Sequence, residues 1–431
     1  MKGKIAILML TLVFFAAFAH AESAINAGDV AWVAAASALV MLMTPALGFF
    51  YAGLVRKKNL VSTLAQCLAI FAIVSIVWAL WGYSLAFGPS IGGFIGDLSN
   101  FALNGVGAIP DEAYAATIPA LLFFFFQLKF AAITPALIIG AFAERVNFKS
   151  LIVFIILWTT LIYAPIAHWV WNPDGWLKAI GAVDFAGGTV VHVAAGVSAL
   201  AAALVIGKRK DYKNGAEFKP NNVPFVILGA SLLWFGWFGF NAGSALAANE
   251  LAVSALVVTN LAAAAAAVSW MAVDWLTKGK PSAVGLSIGA VCGLVAITPA
   301  SGYVGTTAAI AIGLVAGVVS NLVANWRASR TMLDDSLDVF ACHGISGMWG
   351  ALATGLFATV AVNAAGVDGL FYGNPSQLLA QLIAVVVVAA YAFIGSFALL
   401  KIQSAFMNLR VSPKDEEKGL DHSQHGEEAY G

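Results

Sequence analysis

The chain has 431 residues and no net charge, with 61% apolar and only 10% charged residues. Soluble domains carry about 25% charged residues, so this composition indicates an integral membrane protein. The balanced charge, with no basic cluster interleaved with aromatics, argues against nucleic-acid binding. The three cysteines, Cys67, Cys292 and Cys342, lie in apolar stretches and form no C-x-x-C pair. They are therefore predicted to be packing residues rather than a disulfide framework or a metal site.

The first 21 residues read as a secretory signal peptide. Lys2 and Lys4 precede the apolar run 5–18, which is followed by the A-x-A site at residues 19–21, so the mature chain is expected to begin at Glu22. The alternative is a first membrane helix, but the run is shorter than the ~20 apolar residues that a span needs. The predicted organisation is a signal peptide (1–21), a transmembrane domain (22–407) and a cytoplasmic tail (408–431).

Eleven further stretches are apolar and long enough to cross a bilayer, which predicts an all-α membrane protein with eleven transmembrane helices. They are 31–54, 61–87, 117–142, 151–168, 185–207, 223–243, 251–276, 284–300, 306–326, 339–362 and 377–406.

The basic residues predict the orientation of these spans. With the mature N-terminus outside, 18 of the 22 basic residues fall in inner segments. Two more lie in the signal peptide, Lys129 lies inside a span, and only Lys178 falls in an outer loop. Because cytoplasmic loops carry an excess of Lys and Arg, an N-out, C-in protein is expected.

Short internal matches suggest an inverted repeat. The first span contains GFFYAG and the sixth GFNAG, while the fifth contains HVAAGVSAL and the tenth HGISGMWGAL. The partners of each pair are five spans apart along the chain, an odd offset, so they enter the membrane from opposite sides. The pattern favours a 5+5 inverted repeat with one added helix, as in transporters whose site lies near the midplane.

Two histidines are the strongest candidates for a site in the membrane. His192 and His343 each lie on an apolar helix, at matching places in the two half-repeats. A lone buried imidazole is usually structural, but two at repeat-related positions favour a function.

An aspartate precedes each of these histidines. Asp184 and Asp338 are both expected to cap the following helix, where a carboxylate accepts bonds from free backbone N–H groups. At 1.5 Å per residue, the histidines would lie about 12 Å and 8 Å along their helices. Across a core of about 30 Å that leaves roughly 10 Å between them, unless both helices begin inside the membrane.

Seven motifs in order along the chain resemble the ammonium transporters of the Amt/MEP/Rh family, on the bacterial Amt side. They are GFFYAGLVRKKN, FQLKFAAITPALIIGAFAERVNF, PIAHWVW, DFAGGTVVHVAAG, GWFGFNAGS, DVFACHGISGMWG and GLDHSQHGEEAY.

The resemblance implies site roles at the matching positions. Phe130, Trp171 and Ser244 would recruit NH₄⁺ at an outer aromatic site, and Phe130 and Phe240 would form the gate beneath it. His192 and His343 would line a hydrophobic pore as twin histidines. Asp184 would be the essential carboxylate near the site.

The resemblance also implies the overall function and partners. The expected protein is an inner-membrane homotrimer for nitrogen uptake. It would bind ammonium or methylammonium, remove a proton and conduct NH₃, with a separate and electrogenic proton relay. Its cytoplasmic tail and basic inner loops would receive a PII-type regulatory protein, and no cofactor or metal is implied.

Three alternatives remain at this point. An enzyme is disfavoured because no H-E-x-x-H motif or phosphate loop occurs. A sensor would have to signal through a bound partner, because only a short polar tail follows the last span. A Rh-like NH₃ gas channel is disfavoured by Trp171. The role of Lys129, beside the expected gate, stays open between snorkelling and an influence on the cation's path.

Overall fold

The computed structural model describes residues 25–213 and 218–430, which form a helical bundle. The expected signal peptide and its cleavage site lie outside the described residues. Eleven principal helices occupy the eleven predicted stretches. They are α1 (Ala27–Leu54), α2 (Leu60–Val77), α3 (Ala120–Ile138), α4 (Phe148–Trp158), α5 (Ala194–Ile206), α6 (Val223–Gly243), α7 (Glu250–Lys278), α8 (Ala283–Ile297), α9 (Thr306–Arg330), α10 (Ser346–Phe357) and α11 (Pro375–Ser404).

Several of these helices are extended by turns of a different pitch. α2 continues through a π turn, Trp78–Gly82, into Tyr83–Phe87, and α4 continues through Thr159–Tyr163 into Ala164–Trp171. A 3₁₀ turn, Ile139–Phe142, ends α3. A short hairpin, β1 (Ser90–Ile91) paired antiparallel with β2 (Ile95–Gly96), lies in the connection after α2.

Apolar length supports membrane crossing for most of the bundle. Within the described residues, nine helical runs are long and apolar enough to span a bilayer, and Ala283–Ile297 is a shorter apolar helix. The predicted tenth span is also occupied, by a π segment and α10. The count of eleven crossings and the direction of the chain remain predictions.

Side-chain caps fix where several helices begin. Asn26 accepts bonds from the backbone N–H groups of Gly28 and Asp29 at the start of α1. Asn249 does the same for Ala252 at the start of α7. These side chains satisfy donors that have no partner inside the helix.

A buried ionic network closes one end of the bundle, called here the basic end. Glu144, which is 1% exposed, accepts from both Arg56 and Arg209. Arg209 also donates two hydrogen bonds to the Asp334 carboxylate, at 2.9 and 2.8 Å. Burial acts to raise the pKa of Glu144, but the two arginines hold that pKa below its usual value. The network is therefore expected to stay ionised and to lock the loops of this end together.

The C-terminal tail packs against the basic end. Asp421 accepts from the backbone N–H groups of Val61 and Ser62 at 3.0 and 2.7 Å, so it caps the start of α2. Glu416 accepts from Arg410 and from the backbone N–H of Lys210. The tail itself forms the short helix Pro413–Lys418 and a π turn, Asp421–His425. The tail is thus joined to the loops of the basic end by direct hydrogen bonds.

Candidate functional site

Both histidine-bearing segments begin as π-helix rather than α-helix. Gly188–Val193 precedes α5 and carries His192, and Phe340–Ile345 precedes α10 and carries His343. π turns are rare and frequently mark functional sites, because the extra residue per turn re-aims the side chains. The two predicted site residues thus share an unusual backbone as well as a repeat-related position.

Asp184 caps the first π segment with both carboxylate oxygens. Oδ1 accepts from the backbone N–H groups of Gly187 and Gly188, each at 2.7 Å. Oδ2 accepts from the N–H groups of Thr189 and Val190 at 2.7 and 3.2 Å, and from the Thr189 hydroxyl. Five hydrogen bonds occupy the acceptor sites of a carboxylate, so the capping role expected from the sequence is present in full.

The second π segment is capped by Asp335, and the expectation that Asp338 caps it was wrong. Asp335 accepts from the N–H groups of Val339 and Phe340 at 3.1 and 2.8 Å. Asp338 instead has a positive φ of 55° and accepts from Arg327 Nε at 2.7 Å. Its carboxylate is therefore committed to a guanidinium outside the helix.

The two aspartates that cap the π segments occupy matching positions in the two half-repeats. Asp184 precedes His192 by eight residues, and Asp335 precedes His343 by eight. Asp335 is completely buried, and burial raises its pKa to about 6 against the lowering effect of Arg327.

The two imidazoles meet inside the bundle. Nδ1 of His192 lies 3.3 Å from Nδ1 of His343, so one N–H donates a hydrogen bond to the other nitrogen. The rings are nearly parallel, with an interplanar angle of 19° and centroids 5.4 Å apart, and the residues are 1% and 3% exposed. The gap of roughly 10 Å estimated from helix rise does not exist, because the cross-contacts of the two segments show that both begin inside the bundle.

Glycines allow the two segments to cross this closely. A Cβ atom on Gly196 would lie 2.1 Å from the backbone nitrogen of Gly344, and one on Gly347 would lie 3.1 Å from the backbone nitrogen of Val193. In each segment, the glycine four residues after the histidine contacts the residue that directly follows the histidine of the other segment. This reciprocal contact is what an inverted repeat requires; an added Cβ would clash with backbone at Gly196 and would be tight at Gly347.

Two aromatic rings of α6 also contact His192. Trp237 and Phe240 of α6 stack on the imidazole with centroid distances of 5.3 and 5.9 Å. The indole of Trp237 is itself held by a hydrogen bond to the Thr298 hydroxyl at 2.9 Å. Nε2 of His192 is buried and has no hydrogen-bond partner among the described residues.

Phe240 and Phe130 form the next layer. Their ring centroids are 4.3 Å apart at an interplanar angle of 41°, and both side chains are buried. Phe130 in turn meets Trp171 edge to face at 5.9 Å. The structure therefore joins the twin histidines, the expected gate and Trp171 into one continuous aromatic column.

A cavity of about 170 Å³ lies above this column, at the end of the bundle opposite the basic end. It includes all three residues expected to recruit the cation, Phe130, Trp171 and Ser244. The Trp171 indole donates to the Asp184 carbonyl at 2.9 Å, and the Ser244 hydroxyl donates to the Phe240 carbonyl at 2.8 Å. The Ser244 oxygen consequently keeps its lone pairs for a further donor.

Lys129 lies on α3, and its ammonium group contacts two aromatic rings. Its ammonium nitrogen lies 3.4 Å from the ring centroid of Phe125 and 5.3 Å from that of Phe71. Lys129 is absent from the set of residues that line the 170 Å³ cavity. The geometry thus favours a role of Lys129 in cation–π contact with two rings over a direct contact with a cation in the cavity.

Three contributors to the site were missed from the sequence. Asp335 was detectable from the shared spacing of eight residues, which a search for the nearest acidic residue overlooked. Trp237 and Thr298 gave no signal, because their contacts depend on how α6 and α8 pack.

Comparison with known proteins identifies the family. The sequence profile of the Ammonium Transporter Family matches residues 31–430. The chain belongs to this family. It is 47% identical to the ammonium transporter of Bacillus subtilis over 403 residues, which is 94% of this chain and 98% of that protein. It is 48% identical to ammonium transporter Amt1 of Archaeoglobus fulgidus, over 94% of this chain and 99% of that one.

Solved structures agree with this assignment. Saccharomyces cerevisiae Mep2 superimposes with a TM-score of 0.86 at 38% identity, covering 91% of this chain and 92% of that one. A protein described as a sensor Amt protein superimposes with a TM-score of 0.84 at 33% identity, over 92% of this chain and 98% of that one. The curated relatives named above are ammonium transporters, which confirms the prediction that this family member is not an enzyme.

Proposed function

We propose that this protein moves ammonium across the inner membrane by binding NH₄⁺ in the aromatic cavity and conducting NH₃ past the two histidines. The observation that carries the proposal is the continuous column from Trp171 through Phe130 and Phe240 to the imidazole pair. It joins a site suited to a cation to an almost entirely apolar passage.

The cavity has the chemistry to hold a small cation. The faces of Phe130 and Trp171 attract positive charge, with a strength of about 0.5–2 kcal/mol per contact depending on solvation. The Ser244 oxygen can accept a hydrogen bond from an N–H donor. Methylammonium presents the same donors and is expected to share the site.

The column beneath the cavity favours the neutral molecule. Phe130 and Phe240 close the passage with apolar rings, and stripping water from an ammonium ion there would cost many kcal/mol. NH₃ avoids this cost once a proton has left. K⁺ has no proton to lose, so the same barrier excludes it.

The imidazole pair can carry the released proton. Two imidazolium charges 3.3 Å apart in an apolar site would repel strongly, so the pair is expected to hold at most one extra proton. A proton can pass along the Nδ1–Nδ1 contact, while Nε2 of His192 is open to hydrogen-bond NH₃. This separation makes transport electrogenic. Asp184 contributes a negative charge at the start of the His192 segment, where its field stabilises a nearby cation.

The proposal includes the topology and assembly. The chain crosses the membrane eleven times, with the N-terminus outside after signal-peptide cleavage and the C-terminus inside. In this orientation the cavity faces the outside and the basic end faces the cytoplasm. The organisation is then a signal peptide at 1–21, a transmembrane domain at 22–407 and a tail at 408–431. A homotrimer follows from the family resemblance, and native mass spectrometry tests it.

A PII-type regulatory protein is the proposed partner at the basic end. The surface there includes Lys210 and the docked tail. Lys210 forms an ion pair with Glu417 of the tail, and both side chains are exposed. Complementary charge at such a surface guides association and orientation. Co-sedimentation of a PII protein with proteoliposomes tests this part separately.

The transport proposal is tested by electrical recording on supported proteoliposomes. An ammonium pulse is expected to give an inward positive current, and an equal K⁺ pulse none. Luminal alkalinisation without current would favour the Rh-like gas channel instead. Saturable ammonium binding with neither current nor alkalinisation would favour a sensor.

A further inference from the structure

The three cysteines are not equivalent in the folded protein. Sγ of Cys292 on α8 lies 3.4 Å from Sγ of Cys342 in the second π segment, and both residues are buried free thiols. Cys67 is also buried and free, but it makes no sulfur–sulfur contact among the described residues. The sequence, with 49 residues between the paired cysteines, gave no indication of this contact.

We infer that Cys292 and Cys342 form a binding site for a soft divalent cation that prefers two sulfur ligands, of which Hg²⁺ is the representative. Soft thiolate ligands select soft metal ions. Zn²⁺ is a poor occupant because its structural sites need four ligands. In residues 25–213 and 218–430, no group of three or more His, Cys, Asp or Glu side chains is placed to hold a metal ion.

Charge balance favours a divalent over a monovalent ion. Each thiol loses its proton on binding, so two thiols and Hg²⁺ give a neutral S–Hg–S bridge and two released protons. A monovalent ion on two thiolates would leave one negative charge in an apolar environment. Such a charge is expensive to bury without a partner.

The geometry needs only a small adjustment. Two metal–sulfur bonds of about 2.3 Å, the length of zinc–thiolate bonds, span about 4.6 Å when collinear. The two sulfurs must therefore separate by about 1.2 Å. Rotation of either short side chain about χ1 can supply this movement.

The position of the site gives metal binding a consequence for transport. Cys342 immediately precedes His343, and its π segment crosses the His192 segment at the close contact between Gly196 and Gly344. A bridge from Cys342 to α8 would clamp this segment, and we expect it to block conduction. The binding step is independent of the proposed function, whereas the block rests on it.

The test begins with the mass of the full-length protein after one equivalent of mercury(II) chloride. A bridge adds one mercury atom less two hydrogens, whereas a single thiolate would keep a chloride or hydroxide on the metal. We expect the bridged mass for the wild type and for Cys67→Ala. Cys292→Ala and Cys342→Ala should lose it. A bridged adduct that persists in either of these two variants would overturn the site.

The second measurement is the ammonium current of the same proteins in proteoliposomes. One equivalent of Hg²⁺ should remove most of the wild-type and Cys67→Ala currents, a small dithiol should restore them, and Zn²⁺ should have no effect. Cys292→Ala should keep its current in mercury. A bridged mass without current loss would overturn the clamp but keep the site, and absence of ammonium current before mercury would count against the proposed function alone.

Discussion

Replacing Asp184 with Asn tests how a single side chain holds the first π segment. Asn and Asp are usually near-equivalent caps, which would predict a mild effect. The structure changes that expectation because both oxygens of Asp184 accept backbone N–H bonds, two on each side. An amide has one acceptor oxygen, so its NH₂ group must face two N–H donors whichever way it is turned.

The size of the effect follows from those contacts. Two N–H donors lose a charged acceptor, and hydrogen bonds to charged groups contribute about 1.5–3 kcal/mol each, so a loss of roughly 3–6 kcal/mol in unfolding free energy is expected. Asp335→Asn is the matched control, because Asp335 uses one backbone bond per oxygen. That variant loses a single bond and also relieves a buried charge, so its cost should be clearly smaller.

The assay is thermal unfolding of the purified proteins in detergent, followed by tryptophan fluorescence, with the current measured below the lowest transition. We expect Asp184→Asn to unfold at a distinctly lower temperature than Asp335→Asn. Equal transitions for Asp184→Asn and wild type, or a larger loss in Asp335→Asn, would refute the capping argument. A folded Asp184→Asn protein without current would show that the charge acts on the cation as well.

Three further predictions concern the imidazoles, the second aspartate and the tail. Changing His192 or His343 to Asp should weaken K⁺ exclusion in current recordings, because a fixed negative charge favours a bare cation; unchanged selectivity in both would remove the pair from the mechanism. The raised pKa of Asp335 means that its stabilising effect is full at low pH and is lost as pH rises through about 6. In a pH series of thermal transitions, Asp335→Asn should remove a dependence worth up to roughly 3 kcal/mol. Deleting residues 419–431 removes the cap on α2 and should lower the current or the binding of a PII protein; wild-type values for both would contradict this.

The sequence predicted the features that depend on local composition. Apolar length located all eleven principal helices, and the repeat of motifs around His192 and His343 indicated that these residues belong together. The aromatic column was reached only through the family resemblance, since Phe130, Trp171 and Phe240 lie in separate parts of the chain. Its distances are properties of packing between α3, α4 and α6.

Two parts of the sequence reasoning depended on backbone geometry that residue spacing does not show. Helix rise was counted along ideal α-helices that begin at a membrane surface, whereas both segments begin as π-helix inside the bundle. Asp338 was chosen because it is nearest to the expected span. The backbone at Asp338 has a positive φ, so its side chain turns to Arg327 and leaves the cap to Asp335.

The basic end shows that counting charged residues does not reveal their environment in the folded chain. The sequence treated the loop arginines as a simple excess of positive charge, which is how the orientation rule uses them. In the folded chain Arg145 is completely buried and donates to the carbonyls of Ala141 and Asp334. Arg209 is shared between two buried carboxylates. Much of the charge that predicts topology is therefore neutralised within the protein.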